Sequence, residues 1–217
     1  MADFATRRRM MVDTQIRPSD VTLFPVIEAM LSIPRERFVP NRLTEAAYIG
    51  ESLPIGRSRV FLDPRTLAKM LNALELAPTD LVLDIGPGYG YSTAVIAHMA
   101  QAVVAVEPDE PLVAEASAAL AEIGADNASV EQGIAAEGLE AHAPYDVILV
   151  QGAVEQIPAK ITDQLAEGGR ICAIFREDHL GVCKVGVKNR GVVSWRFAFN
   201  ASAPVMPGFE TVAEFTL

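Results

Sequence analysis

The chain has 217 residues, half of them apolar, and its 18 lysines and arginines against 28 acids give a formal net charge of −10. That composition supports a sizeable core, in one domain with an extension or in two small ones, and excludes a disordered chain. The acidity argues against a nucleic-acid partner, and no apolar window nears the roughly eighteen residues of a membrane span.

The first stretch, MADFATRRRMMVDTQIRP, has a basic cluster and only a two-methionine apolar patch. It lacks the apolar core of a secretory signal, so a cytoplasmic location is expected. DVTLFPVIEAMLSI then has helical spacing, with Asp20 and Thr22 as candidate caps, and stops at IPRERFVP, where two prolines bracket a turn. YIGESLPIGRSRVFLDP reads as a long irregular loop, a kind of segment that often carries function. PRTLAKMLNALEL follows as an amphipathic helix with Pro64 in its first turn.

From Leu81 the pattern alternates between strand and helix. LVLDI, AVVAV, ASVE, DVILV and RICAIF are strands; YSTAVIAHMA and EPLVAEASAALAEIG are helices, the second closed by Gly124. Unbroken apolar runs mark strands buried on both faces, hence a parallel sheet with helices on each side. The tail segments GVCKVGVK and GVVSWRFAF, joined by NRG, read as a hairpin. The expected fold is α/β: a doubly wound, mostly parallel, Rossmann-like seven-stranded sheet ending in an antiparallel hairpin, with an N-terminal helical extension. The expected boundary lies between 1–65 and 66–217. Residues 1–65 hold ten arginines against eight acids, and 66–217 hold eight basic residues against twenty acids. The N-terminal part is therefore a candidate surface for an acidic substrate. Cys172 and Cys183, the only cysteines, have no metal-ligand spacing and read as reduced thiols on neighbouring strands.

LVLDIGPGYGYSTAVIA places Gly86, Gly88 and Gly90 between the first parallel strand and its helix. In such sheets ligands sit at the carboxyl ends of the strands, beside the first strand where the winding direction reverses. Glycines there allow a sharp turn and a close ligand, and the helix start near Tyr91 offers free N–H groups. A dinucleotide fits poorly, because its fingerprint needs a third glycine where this chain has Tyr91. Asp84, just before the loop, would also oppose a diphosphate and welcome positive charge. S-adenosylmethionine, with an ammonium and a sulfonium and no phosphate, suits that pattern. Glu107, ending AVVAVEP, can accept hydrogen bonds from ribose hydroxyls, a contact that NAD would want as well.

VIEAMLSIPRERFVP, VLDIGPGYGYSTAVIA, APYDVILVQGAVEQIP and QLAEGGRI together resemble the protein-L-isoaspartate (D-aspartate) O-methyltransferases, from about Met11 to Phe175. The resemblance implies that S-adenosylmethionine is the methyl donor, that S-adenosylhomocysteine is the product, and that no metal is used. It implies that Asp84, Gly86, Gly88, Gly90 and Tyr91 hold the methionine end, and Glu107 with Pro108 the ribose. Gly133 and Ile134 would flank the adenine, and Gln151, Gly152 and Ala153 would line the methyl-transfer channel. Where the family has an acid at the adenine position, this chain has Ile134. Where its substrate loop reads Gln-Thr-Ile-Ser-x-Pro, this chain reads RVFLDP, so Val60 and Leu62 replace two hydroxyls and Leu62 stands at the serine position.

The resemblance also implies the reaction: methyl transfer to the free α-carboxylate of an isoaspartyl residue in a peptide or protein, giving an ester that collapses to a succinimide during protein repair. A carboxylate with a pKa of roughly 3.3–3.7 is already ionised at neutral pH, so no general base is required. His98, His142 and His179 accordingly read as structural or solvated. Arg57, Ser58, Arg59, Val60 and Phe61 are the candidate substrate contacts, with the arginines and Ser58 standing in for the lost hydroxyls. Two other readings fit the glycine turn: an NAD(P)-dependent oxidoreductase, and a cofactor-binding homologue that senses, binds a partner or methylates another acceptor.

Overall fold

The computed structural model describes residues 3–56 and 58–211. The chain opens with α1 (Phe4–Met11), capped by the Asp3 carboxylate, which accepts from the Thr6 N–H at 2.7 Å. After two irregular turns comes α2 (Phe24–Ser32). Neither Asp20 nor Thr22 caps α2. Asp20 is in the left-handed region, and Asn72 Oδ1 instead accepts from the Thr22 and Leu23 N–H groups at 3.0 and 3.1 Å. α2 has no side-chain cap, and a tie to its entry from fifty residues away has no local sequence signature.

The expected irregular loop holds a small antiparallel hairpin, β1 (Leu53–Gly56) and β2 (Arg59–Phe61), with a register shift between Pro54 and Gly56. It leads into α3 (Pro64–Leu74), where Pro64 takes the first turn and Asp63 accepts from the Thr66 N–H at 2.9 Å. Then follow β3 (Leu81–Ile85), α4 (Tyr91–Ala97), β4 (Ala102–Glu107), α5 (Glu110–Glu122) and β5 (Ala128–Gln132). β6 (Tyr145–Val154), α6 (Ala159–Asp163), β7 (Leu165–Glu177), β8 (Leu180–Asn189) and β9 (Val192–Asn200) complete the chain.

The seven-stranded sheet runs β5-β4-β3-β6-β7-β8-β9. The first four pairings are parallel, and β8 and β9 are antiparallel. Adjacent strand residues serve opposite faces: Val82 joins the layer containing the N-terminal helices and α3, while Leu83 joins the layer with Ile161 and Phe209. At the β8–β9 turn Arg190 and Gly191 both take positive φ, 53° and 77°, which matches the twist of a tight hairpin. Cys172 and Cys183 face each other across β7 and β8 as free thiols, their sulfurs 3.4 Å apart.

Two features bring chain from outside the sheet, one N-terminal and one C-terminal, to the carboxyl ends of the strands. Buried Arg35 donates from Nε to the Ala47 carbonyl and from Nη2 to the Leu62 carbonyl, both at 2.7 Å, and its guanidinium lies 3.9 Å over the Phe61 ring. After β9 the chain doubles back along β6. There the Ala153 N–H donates to the Pro204 carbonyl, and the Met206 N–H to the Ala153 carbonyl. Removing the two Asn72 bonds at the entry to α2 by Asn72→Ala should lower the free energy of unfolding by about 1 kcal/mol, read as a shift of the urea midpoint without a change of slope.

Candidate functional site

β3 lies between β4 and β6, which are entered in opposite winding directions, so the loop after β3 opens on the crevice at the reversal point. Gly86 and Gly88 take φ of 73° and 63°, and Gly86 N–H donates to the Val106 carbonyl at 2.8 Å. Gly90 begins α4 and lets the loop pack on Ala116 of α5, where an added Cβ would stand 3.0 Å from the alanine methyl. The loop is a backbone cradle with no side chains of its own at three positions.

Asp84 has no solvent exposure and does not face the crevice. Ser92 Oγ, Thr93 Oγ1 and Gln151 Nε2 donate to it at 2.6, 2.8 and 2.8 Å. It therefore fixes the first turn of α4 to β3 and β6. Burial pushes its carboxyl up to about 6, against the three donors, with Glu107 adding to the rise. The two α4 hydroxyls were the signal available in the sequence, a pair of donors one turn beyond the glycines. α4 itself is only seven residues long, so the expected anion-attracting helix terminus is slight.

Glu107, at the end of β4, is equally buried, but its partners differ. Arg59 spans both of its oxygens, Nη1 to Oε1 and Nη2 to Oε2 at 2.7 Å each. The Gly88 N–H adds a bond to Oε2 at 2.9 Å and the Asp109 N–H one to Oε1 at 3.1 Å. Arg59 Nη2 also donates to the Gly86 carbonyl at 3.0 Å. The guanidinium expected to meet a substrate carboxylate is here paired with the protein's own.

The remaining expected residues cluster around this pair. Gln151, Gly152 and Ala153 lie on β6 where its register with β7 shifts, and all are buried. Gly133 and Ile134 follow β5, Pro108 follows β4, and Ile134 is 62% exposed. Tyr91 is buried against Phe38 and Phe61 rather than open to the crevice. Val60 is half-buried, Phe61 and Leu62 are buried, and Ser58 sits exposed at the hairpin turn with φ 56°. Arg57 lies outside the described residues. His98 ends α4 and is not inside it, His142 pairs with Glu131, and His179 follows β7, so none joins the site.

Two side chains rest on the cradle. Ile55 Cδ1 stands 2.5 Å from where a Cβ on Gly88 would be, and Met206 packs at the same distance over Gly86 and Gly152. Met206 carried no signal, being an isolated apolar residue in an irregular tail. Under Leu62 is a cavity of about 10 Å³, which Arg35, Tyr91 and Gln151 help to line. Arg35 Nη1 and the Tyr91 hydroxyl are buried without a hydrogen-bond partner, and burial lowers the Arg35 guanidinium to about 10. The fixed parts of the crevice, a glycine cradle with a carboxylate at the neighbouring strand end, fit an adenosyl group. Three side chains, Arg59, Ile55 and Met206, occupy that space. Among the described residues no cluster of His, Cys, Asp and Glu could hold a metal ion, and no helix is long and apolar enough to cross a membrane.

A family model for protein-L-isoaspartate (D-aspartate) O-methyltransferases matches residues 7–196. The chain is 41% identical over 169 residues to a protein-L-isoaspartate O-methyltransferase of Roseiflexus castenholzii, covering 78% of this chain and 77% of the relative. It is 42% identical over 166 residues to a second such protein from Anaeromyxobacter sp., covering 76% and 68%. A solved protein-L-isoaspartate O-methyltransferase superposes with a TM-score of 0.82 at 23% identity, over 93% of this chain and 66% of that one. A Plasmodium falciparum structure from the same class, complexed with S-adenosyl-L-homocysteine, superposes at 0.78 with 19% identity over 94% and 98%. These two likenesses establish the Rossmann-like methyltransferase fold.

The buried Asp84 gives a pH dependence. Its folded pKa of about 6 lies above the unfolded value of roughly 3.9, so the folded state holds the proton more tightly. The resulting stability is full below about pH 4 and is lost as pH rises through 6, a fall of roughly 1–3 kcal/mol. Asp84→Asn should flatten that segment of the curve of urea midpoint against pH.

Proposed function

The chain belongs to the protein-L-isoaspartate (D-aspartate) O-methyltransferase family, and from that premise we propose that it methylates the free α-carboxylate of isoaspartyl residues in peptides and proteins, the opening step of their repair. The observation that carries this reading is the family match over residues 7–196, which spans the glycine cradle, both buried acids and the hairpin. Bound at the cradle, S-adenosylmethionine supplies an electrophilic methyl group on a sulfonium and leaves as S-adenosylhomocysteine.

In this reading Gly86, Gly88 and Gly90 bring the backbone against the methionine end of the donor, and Glu107 with Pro108 receives the ribose. Gly133 and Ile134 flank the adenine, with the exposed Ile134 side chain offering an apolar face to the ring. Asp84 acts one step back, holding Gln151 and the first turn of α4 in place. Gln151, Gly152 and Ala153 border the path of the methyl group. Residues 1–65 form the substrate side and 66–217 the donor side. The free, buried thiols support a cytoplasmic setting.

The chemistry asks little of the protein beyond alignment and exclusion of water, since the acceptor is already an anion. Ser58, Val60, Phe61 and Leu62 are the described candidates for acceptor contact, with Arg57 outside the described residues. Val60 and Leu62 bring no hydroxyl, but Arg35 and Tyr91, each with an unpaired buried donor, line a cavity with Leu62.

Incubation with an isoaspartyl peptide, S-adenosylmethionine and the aspartyl twin of that peptide tests the reading. A methyl ester on the isoaspartyl peptide alone is expected; label on neither peptide, or on both equally, would overturn it. Leu62→Ser should raise kcat/KM for the isoaspartyl peptide by about ten- to a hundredfold, since a hydrogen bond to a charged group contributes about 1.5–3 kcal/mol.

A further inference from the structure

We infer that the β1–β2 hairpin is a latch on the donor site, with Arg59 taking the place on Glu107 that a ribose diol requires. The inference rests on the proposed use of an adenosyl donor. It concerns whether the donor site is open, not which acceptor is methylated.

The acceptor capacity of Glu107 is fully used. Each oxygen takes one Arg59 nitrogen and one backbone N–H, from Asp109 at Oε1 and Gly88 at Oε2. A carboxylate offers about four lone-pair sites, so a diol can bind only by evicting the guanidinium. Exclusion extends along the cradle. Ile55, from the same hairpin, covers Gly88, and Arg59 Nη2 lies 3.4 Å from the Cβ position of Gly86. The hairpin therefore closes the ribose subsite and the Gly88 part of the cradle, while Met206 of the tail covers Gly86 and Gly152.

The other end of the crevice is open. Ile134 is 62% exposed and Pro108 is exposed, so the adenine side is accessible while the ribose side is covered. The hairpin also has the build of a moving part. It has few paired residues, an irregularity at Pro54/Gly56 and a turn residue, Ser58, at φ 56°. Its base is tied down by the bond from Arg35 to the Leu62 carbonyl, whereas the Arg59 end is held by the fork to Glu107 and the bond to Gly86. Breaking those contacts frees the tip and leaves the base in place.

A latch of this kind weakens apparent affinity by the fraction of molecules that are open. Isothermal titration calorimetry with S-adenosylhomocysteine on the full chain tests it. Arg59→Gln should bind ten- to a hundredfold more tightly than the wild type. Arg59→Lys should fall between them, because an ammonium cannot span both carboxylate oxygens as a guanidinium does. Equal or weaker binding by Arg59→Gln, with its far-ultraviolet dichroism unchanged, would overturn the latch and leave the donor reading standing; heat from none of the three would overturn both. If Arg59→Gln does not fold, hydrogen exchange on the wild type decides. Amides 53–56 and 58–61 should exchange faster with saturating S-adenosylhomocysteine than without it, and unchanged or slower exchange would overturn the latch.

Discussion

A carboxylate with no exposure to solvent at the end of β4 needs partners, and the architecture of the site follows from where Glu107 finds them. An unpaired charge at that depth is costly by several kcal/mol, so the groups around it are bound to one another through it. Gly88 contributes an N–H from the cradle, Asp109 one from just ahead of α5, and Arg59 a guanidinium from the hairpin. A loop, a helix start and a substrate-side strand are thereby referenced to a single atom pair. Asp84, one strand away, is buried as deeply but has only neutral donors, and the consequence is visible in its raised carboxyl pKa.

What the sequence disclosed and what it hid divide along physical lines. The parallel strands were legible because burial on both faces leaves an unbroken apolar run, as in LVLDI and AVVAV. The tail hairpin was legible because Arg190 and Gly191 must both take positive φ. The hairpin at Leu53–Phe61 was not, since strands this short are too brief to display a period of two. Contacts made at long sequence separation were hidden altogether. Asn72 ties down the entry to α2 from fifty residues away, Arg59 reaches Glu107 across forty-eight, and Met206 returns from beyond the last strand to cover Gly86 and Gly152. Local pattern carries no trace of such pairings.

Ser92, Thr93 and Gln151 surround the Asp84 carboxylate, so it opposes a diphosphate by charge at a distance and not by contact. Tyr91 adds a steric reason against a dinucleotide. It stands where the dinucleotide fingerprint needs a glycine for close helix packing, and its ring is wedged against Phe38 and Phe61 beneath the Arg35 guanidinium. The close approach of the loop to a helix is made instead by Gly90 on Ala116, which belongs to α5. The glycines are thus arranged for a different loop path, and the ligand preference read from the sequence stands on shape more than on charge.

Two arginines divide the hairpin between them. Arg35 holds its carboxyl-terminal end from inside the protein, through the Leu62 carbonyl and the face of Phe61, with no exposed surface to lose. Arg59 holds it from the donor side, on a carboxylate that the donor itself would use. Val60 and Leu62, the departures from the family's substrate loop, flank the segment between these two anchors. Any event that lifts Arg59 from Glu107 displaces the neighbouring Val60 by backbone continuity, so donor binding and acceptor binding share one movable element. Linkage then requires the coupling to be mutual: an acceptor that favours the lifted hairpin must strengthen donor binding by the same factor.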